Sequence, residues 1–274
     1  MKKRLSALIL AVATAAITLT GCGTKTSSEN VFRVAMEAGY APFNWTQLDD
    51  SNGAVKIEGS SEYAGGYDVE IAKKIADSLG KELVIVKTEW DGLVPSLISG
   101  KVDAIIAGMS PTEERKKTID FTENYYTSDF VMVIKKGSKY EKAKSIQDFS
   151  GAKVTSQLNT SNYDVIDQIN GVEKQTAMES FPAMRVALEA GKIDGYVAER
   201  PEGISAQAAN SKFTFVSFDG EEGFVTDISN TSIAVGARKG DPSIEKINEI
   251  LKGISEEERQ QIMEDAILQQ PAAQ

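Results

Sequence analysis

Two stretches of this 274-residue chain carry the same local pattern. Leu97, Gly100, Lys101, Val102, Asp103, Ala104, Ile105 and Ile106 align with Leu188, Gly191, Lys192, Ile193, Asp194, Gly195, Tyr196 and Val197. Each reads as the end of a helix, a Gly-Lys turn, then an apolar strand with Asp near its start. An earlier strand has a counterpart as well: Phe32 to Met36 resembles Ala152 to Ser156, each followed by a polar loop. A repeated helix–strand unit leaves few architectures open. The chain is expected to be α/β, built as two similar lobes.

The rest of the pattern fills these lobes. Asp68 to Leu79 carries an apolar stripe at Val69, Ala72, Ile75, Ala76 and Leu79, with Asp68 as N-cap and Gly80 as stop. Leu83 to Val86 reads as a strand, Leu93 to Ser99 as a short helix, and Val102 to Ala107 and Ser232 to Ala237 as buried strands. Asp241-Pro242 signals a helix start, and Ser255 with Glu258 a capping box for the last helix. If this tail packs on the first lobe, the chain crosses between lobes twice, near Tyr126 to Phe130 and near Asn230 to Ile233. Lobe one is then 31–127 plus 233–270 and lobe two is 128–232, joined by a two-segment hinge. Thr46 to Gly65, with its Asn52-Gly53 turn, reads as a polar surface hairpin.

Ligands of open α/β sheets bind beyond the carboxyl ends of the strands. The repeat therefore picks out four loops: Glu37 to Tyr40 and Gly108 to Ser110 in lobe one, Gln157 to Asn162 and Glu199 in lobe two. If the lobes face each other, these loops enclose one cleft.

Composition removes several chemistries. The chain has no His and one Cys, so Ser-His or Cys-His catalysis, His-ligated metals and an intrachain disulfide are all excluded. A net charge of −10 argues against nucleic acid as a partner. No cofactor and no metal are expected.

Residues 1–21 read as a signal peptide: Lys2, Lys3 and Arg4, an apolar run from Leu5 to Leu19, then small residues before Cys22. Leu19-Thr20-Gly21-Cys22 resembles the bacterial lipobox. The resemblance implies cleavage before Cys22 and a diacylglyceryl group, with chains such as palmitate, on its sulfur. Residues 22–30 then form a polar tether to the outer face of the cell membrane.

Ser110-Pro111-Thr112-Glu113-Glu114-Arg115 looks like a capped helix start just after a buried strand. Ser110 is the expected N-cap, Pro111 the first helical residue, and Glu113 closes a capping box. Such a helix start suits an anion, and the planar fork of Arg115 matches a carboxylate. By spacing alone, Arg115 serves equally well as a surface partner of Glu113.

With these residues the chain resembles the family-3 solute-binding proteins of bacterial amino-acid ABC importers. Gly66 to Ile71 continuing to Leu79, Trp90 to Leu97, Ser110 to Arg115, Asp120-Phe121 and Tyr125-Tyr126 fit that family in order. Glu37 to Phe43 and Gln157 to Asn162 match its ligand loops. The resemblance implies a periplasmic-binding-protein type II fold and a monomeric receptor, not an enzyme, that hands a free amino acid to the transmembrane subunits of a permease. Carried over residue by residue, Arg115 takes the α-carboxylate with Ser110 and the Thr160-Ser161 backbone. The Gly108 carbonyl and the Glu199 carboxylate take the α-ammonium. Tyr40 and Trp90 wall the side chain, and Glu37 sits toward its far end. The sequence departs from the pattern at Asn159, where many members have Gly, at Glu199, where many have Asp, and at Ala107, where some have Ser. Asp is also common at the Glu37 position in members that bind basic amino acids.

The acid at Glu37 and the π-faces of Tyr40 and Trp90 favour a basic ligand, arginine before lysine. Glutamine or another neutral polar amino acid is the alternative, and an enzyme or a sensor on the same fold is a further one. Tyr67, Asp68, Asp103 and Asp194 read as structural, as do Phe181 and Met184, which fall on a helix face. The Glu221-Glu222-Gly223 loop reads as solvated.

Overall fold

The computed structural model describes residues 30–271; the stretch read as a signal peptide, Cys22 and nearly all of the expected tether lie outside the described residues. Two five-stranded sheets organise the chain. In the first, the order is Glu82–Lys87, Val31–Met36, Ala104–Ile105, Ser232–Ala237, Asp120–Thr127. In the second it is Glu173–Lys174, Lys153–Thr155, Gly195–Glu199, Phe130–Lys135, Phe213–Val216. In both, three strands run parallel and the fourth returns antiparallel. The chain passes from the first sheet to the second between Thr127 and Phe130 and returns between Val216 and Ser232.

The two aspartates of the repeat do the same work in each lobe. Asp103 accepts from the backbone N–H of Arg33 at 2.9 Å, and Asp194 from that of Lys153 at 2.9 Å. Each ties the entry of its strand to the start of the neighbouring first strand. Both stand at strand starts, opposite the ends that carry the ligand loops.

Packing follows the two-residue period of the strands. Phe130, Met132 and Ile134 face a cluster with Phe149, Val154 and Ile166, while Val131 and Val133 face the other side with Phe181, Tyr196 and Phe213. A strand covered on both faces reads as the continuous apolar run Phe130–Ile134. The tail helix Ser243–Lys252 lies on the first lobe, but Glu256–Gln269 bridges the lobes: Glu258 pairs with Lys74 on the first, and the helix also packs on Arg200–Ala209 of the second, where Ser205 donates to Gln270 at 2.5 Å.

Several local expectations are corrected. The strand read over 102–107 is only Ala104–Ile105, although Val102 to Ala107 is buried at nearly every position. The helix Tyr67–Leu79 is capped by Gly66, not Asp68. Asp68 lies inside its first turn, fully buried, and accepts from Asn44 and Tyr125. Ser255 does cap the last helix, but the Glu258 carboxylate goes to Lys74 instead of closing a box. Residues 46–65 form more than a surface hairpin. Asn44–Gln47, Tyr63–Gly65 and Val55–Lys56 join Gly39–Tyr40 in a small antiparallel sheet, and Ile57 and Ala64 are buried beneath it.

Candidate ligand site

Loops that follow the three parallel strands of each sheet converge on one narrow cleft. Tyr40, Trp90, Gly108, Ser110 and Arg115 line it from one lobe. Gln157, Thr160, Ser161, Asn162, Phe181 and Glu199 line it from the other.

Arg115 is held by contacts from both lobes. Its Nη1 donates to the Ser110 carbonyl at 2.9 Å and its Nη2 to the Asn159 carbonyl at 3.0 Å. The Trp90 ring lies against the guanidinium, 5.1 Å from its centre. Glu113 pairs with Lys116 and leaves Arg115 alone. Burial lowers the guanidinium to about 10, so it stays charged at neutral pH. The expected cap is corrected. The helix is only Glu113–Lys116, and Thr112 caps it by accepting from the Arg115 N–H. Ser110 instead donates to the Asn230 carbonyl at 3.1 Å. One helical turn makes a weak dipole, so positive charge at this corner comes from the guanidinium.

Glu199 ends the strand Gly195–Glu199 and is buried. It accepts from the Tyr40 hydroxyl across the cleft and from Asn162 Nδ2 at 3.0 Å. Burial raises its pKa, opposed first by the Tyr40 bond. The Tyr40 ring stacks on Phe181 at 4.2 Å and tilts against Phe43 at 5.0 Å. Gly108 has φ +61°, and a Cβ there would lie 2.8 Å from the Tyr40 ring. Only glycine lets the backbone approach that ring so closely.

Glu37 stands apart from the other candidates. It does not line the cavity; it is buried behind Gln157, whose Nε2 donates to it at 3.0 Å. Burial pushes its carboxyl up to about 7, with Glu89 adding to the rise, while the Gln157 bond and Lys87 oppose it. Trp90 lines the cavity but also backs Arg115. Tyr40, Gly108, Ser110, Thr160, Ser161 and Glu199 meet there.

Three lining residues were not singled out from sequence. Gln157 and Asn162 fall in the loop that the repeat marks, but nothing in their identity sets them above their neighbours. Phe181 fits its reading as core, being buried, and yet also lines the cavity. Met184, on the same helix, is core alone. Among the described residues there is no cluster of His, Cys, Asp and Glu able to hold a metal ion, and no helix long and apolar enough to cross a membrane.

Comparison with known proteins gives a consistent result. The family model described as bacterial extracellular solute-binding proteins, family 3, matches residues 32–269. A probable histidine-binding protein of Campylobacter jejuni is 32% identical over 269 residues, covering 93% of each chain. The arginine-binding extracellular protein ArtP of Bacillus subtilis is 30% identical over 261 residues, covering 92% of each. A crystal structure of an amino acid ABC transporter substrate-binding protein from Streptococcus pneumoniae, bound to L-arginine, superposes with a TM-score of 0.76 at 26% identity, covering 88% of this chain and 95% of that one.

Proposed function

The chain belongs to family 3 of the bacterial extracellular solute-binding proteins, a family of two-lobed periplasmic-binding-protein type II receptors and not of enzymes, and from this we propose that it captures a basic amino acid, arginine before lysine, for an ABC permease. Charge matching at the cleft carries the choice of ligand. A zwitterionic amino acid needs one cation and one anion, and Arg115 and Glu199 supply them. Glu37 is then a surplus buried carboxylate whose hydrogen-bond partner, Gln157, is neutral. A cationic side chain reaching that end would compensate it, whereas an acidic one would set like charges together. The arginine named for relatives on this fold supports the same choice.

Each group has a role in this reading. Arg115, flanked by Ser110 and the Thr160-Ser161 backbone, takes the α-carboxylate. Glu199 and the Gly108 carbonyl take the α-ammonium. Tyr40, Phe181 and Trp90 exclude water, and Gln157 with Glu37 behind it meets the side-chain end. One observation favours glutamine as a second reading: the residue lining that end is the neutral amide of Gln157, not Glu37 itself.

The lipobox resemblance supports a lipid anchor at Cys22, which would hold the receptor as a monomer on the outer face of the membrane beside its permease. Lobe one is taken as 31–127 plus 233–270 and lobe two as 128–232. A thermal-shift screen against the standard amino acids tests the ligand. Arginine at ~100 times its dissociation constant should add about 2.7 kcal/mol of apparent stability. No shift with any basic amino acid would contradict the reading.

A further inference from the structure

Asn159 holds a backbone conformation that glycine adopts most easily. Its φ is 57°, in the left-handed region. Asn is one of the few residues with a side chain that enters this region readily. The turn is therefore kept, and the side chain adds something glycine lacks. Asn159 Nδ2 donates to Asp91 Oδ1 on the opposite lobe at 2.9 Å. Asp91 follows Trp90, the residue whose ring backs Arg115. Asn159's own carbonyl accepts from Arg115 Nη2 at 3.0 Å. One residue thus makes two contacts across the cleft, both at the Trp90–Arg115 corner. Neither Asn159 nor Asp91 lines the cavity.

We propose that Asn159 is a positioning residue that couples closure of the lobes to the orientation of Arg115. Its amide clips the second-lobe loop to Asp91, and this brings its carbonyl onto the guanidinium. The clip forms only when the lobes meet and touches no ligand atom. It therefore slows release of every bound amino acid alike, whatever the side chain. The inference rests on the cavity being an amino-acid site.

The test uses the mature chain with N159G, N159D, D91A and the N159G/D91A pair. N159G keeps the left-handed backbone and the carbonyl and removes only the clip. N159D keeps the shape and sets two carboxylates face to face. Stopped-flow release of L-arginine, L-lysine and L-glutamine is measured for whichever of these the wild type binds. N159G and D91A should each speed release roughly three- to tenfold, by the same factor for each ligand. The pair should do no more than the larger single change, and N159D should exceed N159G. The ligand-free melting curve of D91A should match the wild type. Unchanged release rates, additive effects, an effect confined to one ligand, or a lowered ligand-free melting temperature in D91A would each overturn the proposal. If the wild type binds no amino acid, the functional reading falls and takes this inference with it; if it binds and the variants release alike, the inference alone falls.

Discussion

Gln157 and Glu37 meet across the two lobes: Nε2 of the glutamine donates to Oε2 of the glutamate at 3.0 Å. The same nitrogen donates to the Glu179 carbonyl at 2.9 Å. A carboxylate and a carbonyl both accept, so the amide is fixed with its nitrogen toward them. Among the described residues nothing donates to its oxygen, which leaves an acceptor on a residue that lines the cavity. In the proposed reading, Glu37 would act on a ligand in two ways, by its charge and by setting the direction of Gln157.

This burial has a pH signature. The Glu37 carboxyl is raised to about 7, chiefly by burial, against about 4.5 when unfolded. Between these values the folded chain holds a proton that the unfolded chain has released. Stability contributed by Glu37 is therefore full below about 4.5 and is lost as pH rises through 7. Asp68, raised to about 7 by the same cause, acts in the same direction. Ligand-free E37Q should melt above the wild type at pH 8 and close to it at pH 4.5, as followed by circular dichroism.

Arginine binding should run the other way. Protonating Glu37 removes the charge that compensates the guanidinium, so wild-type affinity should fall as pH drops from 8 to 5. Burial chiefly sets where the fall is centred; the Gln157 bond and Lys87 lower it and Glu89 raises it. Calorimetry across this range should show the fall in the wild type and a shallower one in E37Q, where Glu199, also raised by burial, still titrates.

Arg115→Ala should abolish useful binding of any amino acid. A desolvated carboxylate without its partner costs roughly 3–5 kcal/mol, on the order of a hundredfold or more in affinity. Isothermal calorimetry reads it directly. Near-wild-type affinity would remove the anion site from this corner.

Asp103→Ala and Asp194→Ala should separate fold from function. Each leaves one backbone N–H at a strand entry without its acceptor. Each should cost about 0.5–1.5 kcal/mol of stability, less at the exposed Asp194 bond, measured by denaturant unfolding, with ligand affinity unchanged.

Cys22→Ser should release the receptor from the membrane fraction or leave it as uncleaved precursor. One lipid group with two or three acyl chains anchors lastingly, where a single chain is marginal. Membrane-bound, correctly processed protein in this variant would contradict the lipid anchor.

The repeat made the two-lobed fold legible because helix stripe, glycine stop and buried strand are all local signals. Asp103 and Asp194 show how far this goes: matched in sequence, they make matched hydrogen bonds. What the sequence hid depends on where side chains distant in the chain meet. Ser110 looked like a cap because it precedes Pro111, but its hydroxyl goes to Asn230, 120 residues away. Trp90 backs Arg115, and Gln157 shields Glu37, through contacts that no local pattern encodes. Phe181 serves core and cavity together, and helical periodicity marks only the first.

The central claim, that the surplus carboxylate of Glu37 selects a basic amino acid, is tested most directly by titrating wild type and E37Q with arginine, lysine and glutamine in a calorimeter at pH 8. The wild type should bind arginine tightest and lysine next. E37Q should lose roughly 2 kcal/mol or more for both while changing little for glutamine. Tight glutamine binding by the wild type, with arginine unable to compete, would contradict it.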